Sequence, residues 1–159
     1  MKMALKYLSI LSVFAFLGFS REFVFVNINN QLYKTYYKNN DIFISKSLTF
    51  LSKYNYETLY YIKYPLTILY FTVYFIVSFY SVKIICDNKK ITRWIVYIYS
   101  LLLILSSITM LYNYIINNQL SGEEYTFSRW LMGIAESPLV AFFVISASAL
   151  YSKFNIEKK

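Results

Sequence analysis

"WIVYIYSLLLILSSITMLYNYII", residues 94 to 116, contains no charged side chain. A helix of about 20 predominantly apolar residues crosses the hydrocarbon core of a bilayer. Lipid offers backbone groups no water, so a segment there must bond its own N–H and C=O groups, which a helix does. The stretch therefore predicts a membrane-spanning helix. Composition agrees, since 58% of the 159 residues are hydrophobic and 21% aromatic. Soluble domains hold about 45–50% apolar residues, and here the excess is gathered into runs.

Three further runs flank this one. "YLSILSVFAFLGFS" begins at Tyr7 and continues through "REFVFV" to residue 26. "LTILYFTVYFIVSFYSVKIIC" covers Leu66 to Cys86 and is opened by Pro65. The last, "SRWLMGIAESPLVAFFVISASALYS", covers 128 to 152. No ten-residue alternation suggests a membrane barrel. The expected fold is an all-α integral membrane protein, one membrane domain over residues 1–159. Its four transmembrane helices lie at about 7–26, 66–86, 94–116 and 130–151, with an outer loop at 27–64. Within that loop, "SKSLTFLSKYNYETLYYIKYP" puts Leu48, Leu51 and Tyr54 near helical spacing, with Leu59 and Ile62 following. That pattern suits a short interfacial helix; an ordinary polar loop with aromatics is the other reading.

The first run also has the parts of a signal peptide: Lys2 and Lys6, an apolar centre, and the small-x-small site Gly18-Phe-Ser20. Apolar character resumes at Phe23, which favours a retained helix. Basic residues in the short segments set orientation. The amino-terminal tail has Lys2 and Lys6, "KIICDNKKITR" has Lys83, Lys89, Lys90 and Arg93, and the carboxyl tail has Lys153, Lys158 and Lys159. "NNQLSGEEYTFS" has no basic residue and carries Glu123 and Glu124. Both termini are expected in the cytoplasm. The lysines of the loop 27–64 sit against this rule, which longer loops obey less strictly. Many of the 18 tyrosines cluster at span ends, where a ring with one polar tip suits the water–lipid boundary.

The inventory removes several chemistries. The chain has no histidine and one cysteine, Cys86. Cys–His and Ser–His nucleophile pairs and His-containing metal sites are excluded. A Gly-rich phosphate loop, a dinucleotide fingerprint and a carboxylate cluster are all missing. The expectation is a non-enzyme with no catalytic residue, no cofactor and no metal. The net charge of +8 comes from lysines beside apolar runs rather than from a basic stripe, so nucleic acid is not an expected partner.

Charges within or beside spans are few, and each carries information. Arg21 and Glu22 lie at the outer end of the first span; Arg129 opens the fourth, and Glu136 follows seven residues later. A charge at the helix centre costs about 2.5–3.5 kcal/mol, so Glu136 is expected to face protein. Protonation, pairing with Arg21 or Arg129, and a partner's cation all stay open for it. Gly133 and Ser137 form a small-xxx-small pair that lets helices approach, and Pro138 can kink the span. Arg21, Glu22, Arg129, Gly133, Glu136, Ser137 and Pro138 are the candidate helix-packing or partner-docking residues.

The order of these features, with "SREFVFVN" after the first apolar run and "SRWLMGIAESPLVAFF" in the last, resembles the small membrane proteins associated with bacterial exosortase systems, nearest the exosortase F or X accessory type. The resemblance covers most of the chain in layout and those two stretches in residues. Exosortases are membrane transpeptidases that use Cys, Arg and His, so a chain without His does not match the enzyme. What the resemblance implies is a non-catalytic accessory to protein sorting and surface export, with membrane lipids and a membrane-embedded exosortase, or another membrane protein, as partners. The alternative from the residues alone is a small oligomeric transporter subunit in which Glu136 couples to protons or cations.

Overall fold

The computed structural model describes residues 2–38, 43–86, 88–117 and 125–157. Among them every regular element is helical: α1 (Lys2–Tyr37), a 3-10 helix (Lys46–Lys53), α2 (Tyr56–Cys86), α3 (Lys89–Asn117), α4 (Tyr125–Ala135) and α5 (Leu139–Glu157). The protein is an all-α membrane protein. Three helices are long and apolar enough to cross a bilayer, and α4 with α5 make a bent pair that counts as a fourth span if taken together. The acidic pair Glu123–Glu124 lies outside the described residues.

Two helix ends differ most from the sequence expectation. α1 runs eleven residues beyond residue 26, unbroken through Gly18–Ser20, and stops at Tyr37. Lys38 follows with φ 53°, the left-handed conformation that commonly closes a helix. α2 begins ten residues before Leu66, so Pro65 lies inside the helix instead of opening it. The start is set by Asn55, whose side-chain oxygen accepts from the Thr58 N–H at 3.0 Å. Glu57 then places negative charge in the first turn, where the helix dipole favours it. Much of the expected loop 27–64 is thus helical.

The chain divides into two compact units, Ala15–Tyr70 and Met1–Phe14 with Phe71–Lys159. In the first, Ile28 and Leu32 of α1 gather with Leu51 of the 3-10 helix and Leu59 of α2. This cluster explains the two extended helix ends, because their apolar residues have something to cover. Of the residues expected to form an interfacial helix, Leu51 and Leu59 are buried whereas Tyr54 is exposed. Asn27, buried, fixes the segment before the 3-10 helix: its Oδ1 accepts from the Ser45 N–H at 2.7 Å, and its Nδ2 donates to the Phe23 carbonyl at 2.7 Å.

The second unit is built on α3, which packs against α4 and α5. Its core joins Val82, Ile95, Tyr99, Ala135, Val140 and Val144. Phe14 adds a ring between Tyr74, centroids 6.1 Å apart, and Phe142, at 5.7 Å. Two pairs of hydroxyls cross between helices. Ser78 of α2 and Tyr99 of α3, 0% and 2% exposed, share a hydrogen bond of 2.8 Å. Ser106 of α3 and Ser128 of α4, both buried, are 2.8 Å apart at their oxygens, and each also reaches the other's backbone carbonyl. Hydrophobic force does not draw helices together in lipid, so packing and hydrogen bonds of this kind fix their register.

Candidate functional site

The fourth apolar segment is two helices, and the break between them holds the acid. α4 ends at Ala135, α5 begins at Leu139, and the axes bend by 59°. The kink expected from Pro138 is therefore a full interruption, with Glu136 inside it. The last bond on the α4 side runs from the Glu136 N–H to the Met132 carbonyl at 2.8 Å; the first of α5 runs from the Phe142 N–H to the Pro138 carbonyl at 3.0 Å.

Local chemistry explains the interruption. An uninterrupted helix would have residue 138 donate to the Ile134 carbonyl, and proline has no N–H. The Ser137 hydroxyl donates to that carbonyl instead, at 2.6 Å. The same oxygen accepts from the Leu139 N–H at 3.3 Å, as an N-cap does. One side chain thus closes α4 and opens α5. Sequence reading assigned Ser137 to close helix contact; in the structure its hydroxyl bonds to backbone.

Glu136 is 4% exposed, with Oε1 fully buried. The expectation that it faces protein rather than lipid is met within the chain itself. Ala135, beside it, belongs to the core with Val140 and Val144. Gly133 is half-buried, and a Cβ built there would meet nothing within 4 Å. No neighbour in the chain uses its smallness, so the expected close approach at Gly133 does not occur inside this molecule. Arg129 is exposed, on a turn with the exposed and stacked rings of Phe127 and Trp130, centroids 6.0 Å apart. That triad of a cation and two aromatics suits a span end.

In the other unit, Arg21 is half-buried, its guanidinium 5.3 Å from the centre of the Phe25 ring, a cation–π distance. Glu22, next along α1, is exposed. Among the described residues no group of three or more His, Cys, Asp or Glu comes together. Sequence reading passed over Asn27, Ser78, Ser106 and Ser128, and it placed Tyr99 with the span-end tyrosines, whereas Tyr99 is buried in the core. Each is small or amphipathic in an apolar run and gives no signal until register shows which ones face a neighbour.

Among the described residues, the second unit thus holds a buried carboxyl in a helix break, a serine completing that break, and two hydroxyl bridges between α3 and its neighbours. Such an arrangement can hold a fixed bend or bind a cation or proton at the break. No family model, curated protein or solved structure matches this chain.

Proposed function

We propose that this chain is a non-catalytic accessory membrane protein of an exosortase-type protein-sorting and surface-export system, in a bacterial inner membrane with both ends in the cytoplasm. One observation carries the reading. The two stretches in which the sequence resembles that accessory type each hold a buried polar side chain, and the second also holds a helix break. "SREFVFVN" ends in Asn27, the buried amide that fastens Ser45. "SRWLMGIAESPLVAFF" contains Glu136, Ser137 and Pro138, the break with its buried acid. A chain needing only to cross lipid has no use for either, and a buried carboxyl is costly. A bend that shapes a docking surface accounts for the buried acid at the break.

Since Glu136 is enclosed by its own chain, its part in docking is to hold the bend rather than to touch the partner. Co-synthesis with the same organism's exosortase, followed by detergent extraction and affinity purification, should recover the two together. Glu136→Gln should retain most of that binding and Glu136→Leu should weaken it. Exosortase that never co-purifies with the wild-type chain would overturn the reading. Reporter fusions at Lys89, Leu120 and Lys159 should read inside, outside, inside. An outside reading at Lys159 would make the bent pair a re-entrant loop.

A second reading, an oligomeric transporter subunit, draws on the same carboxyl, because acids at broken helices are where transporters bind coupling ions. Purified chain in proteoliposomes with a trapped pH dye separates the two. In transport, Glu136→Gln abolishes proton flux; in docking, no flux depends on residue 136.

A further inference from the structure

At the turn joining α2 to α3, a cavity of about 400 Å³ is lined by Phe79 and Lys83 of α2, by Asn88, and by Lys89, Thr92 and Arg93 of α3. Among the described residues the lining holds three cations, Lys83, Lys89 and Arg93, and no acid. In sequence, Lys83, Lys89, Lys90 and Arg93 outnumber the acid Asp87, which lies outside the described residues. The cavity also opens at the start of a 29-residue helix, whose amino-terminal end carries partial positive charge. Asn88 caps that end, its Oδ1 accepting from the Lys90 N–H at 2.9 Å.

Depth points to the ligand. Tyr80, Trp94 and Tyr97 are exposed beside the cavity, and exposed Tyr and Trp at span ends sit at headgroup level. The Lys83 ammonium lies 5.9 Å from the centre of the Tyr80 ring, the pose of a lysine whose stem follows apolar surface to a polar boundary. One turn deeper than Tyr80, Ile76 is exposed on the same face of α2, a face along which an acyl chain can lie. We propose that this cavity binds the phosphodiester headgroup of an acidic phospholipid, with Lys83, Lys89 and Arg93 contacting the phosphate and the α2 face receiving a tail. The inference rests on the membrane fold alone and not on the accessory-protein reading.

The test uses the full chain in nanodiscs of phosphatidylcholine doped with phosphatidylglycerol, with bound lipid counted by native mass spectrometry after release. Retention of phosphatidylglycerol over phosphatidylcholine is expected. Each basic residue at a membrane surface contributes about fivefold in affinity, so Lys89→Gln with Arg93→Gln should lower retention roughly 25-fold. Lys89→Arg with Arg93→Lys should keep it. Lys34→Gln with Lys46→Gln, which removes equal charge elsewhere, should change it less than twofold. Equal losses in the two Gln pairs, or no preference for the acidic lipid in the wild type, would overturn the site. Millimolar inorganic phosphate should leave the lipid in place. Phosphate that displaces it would mark a site for the free anion and sink the lipid assignment.

Discussion

Ser137 tests how the break is held. Its hydroxyl meets the Ile134 carbonyl at 2.6 Å and the Leu139 N–H at 3.3 Å. In Ser137→Ala both backbone groups lose that partner inside an apolar segment. A buried polar group left unmet costs about 1–3 kcal/mol, while hydrogen bonds within membrane proteins average about 0.6 and reach about 1.7 kcal/mol. The longer contact contributes little, so the loss should be about 1–2 kcal/mol. Ser12 supplies the control, because its hydroxyl also donates to a carbonyl four residues back, Leu8, at 2.9 Å. That carbonyl already accepts an ordinary helical N–H, so Ser12→Ala should change stability by less than about 0.5 kcal/mol.

The decisive measurement is a double-mutant cycle with Pro138→Ala, read as reversible unfolding in bicelles. An alanine at 138 brings back the N–H that Ile134 lacks, so Ser137→Ala should then cost only about half as much. The coupling should be about 0.5–1 kcal/mol. If Ser137→Ala costs no more than Ser12→Ala, or the same with and without Pro138, the account of the break is wrong.

Three further outcomes follow from the packing. In a Cys86→Ser background, Ser106→Cys with Ser128→Cys should form a disulfide on mild oxidation, seen as a mobility shift reversed by reductant. Ser107→Cys with Ser128→Cys should not, since Ser107 is exposed on another face of α3; equal cross-linking would refute the α3–α4 register. Ser78→Ala should destabilise by about 1–2 kcal/mol, because the buried Tyr99 hydroxyl loses its partner. Tyr99→Phe should cost less, as Ser78 can turn its hydroxyl to its own helix, and a reversed order in unfolding would contradict the Ser78–Tyr99 bond. Asn27→Ala should release Ser45 and speed protease cleavage around residues 43–46, with global unfolding little changed; unaltered cleavage would deny Asn27 its fastening role.

Long apolar runs made α2 and α3 legible in the sequence, and the pairing of Glu136 with Pro138 marked the place of the break. Of the tyrosine-rich helix ends, that of α1 was not legible, and the start of α2 was legible only in the helical spacing of Leu59 and Ile62. "NNQLYKTYY" and "YETLYYIKY" lack the apolar density of a span, and they are helical because Ile28, Leu32, Leu51 and Leu59 meet, a contact between residues far apart in the chain. The hydroxyl bridges were hidden for a related reason. Serines 78, 81, 100, 106 and 107 look alike in apolar surroundings, and only helix register selects 78 and 106 for partners. Ser137 was noticed for its size, while its two backbone bonds depend on what Pro138 does to the carbonyl three residues earlier.

The bend also answers a question of length. Taken as one span, Phe127 to Tyr151 would make a straight helix of about 37 Å at 1.5 Å per residue. The hydrocarbon core is about 30 Å thick, and an overlong helix must tilt, kink or thicken the bilayer. A 59° bend shared equally by its two arms shortens their reach along the membrane normal to about 32 Å. The interruption therefore shortens the segment toward the thickness of the bilayer core, and Glu136 within it is buried in the protein. Closing the break would have to lengthen the span and move Glu136 at once, so the bend is held from both sides of Ser137.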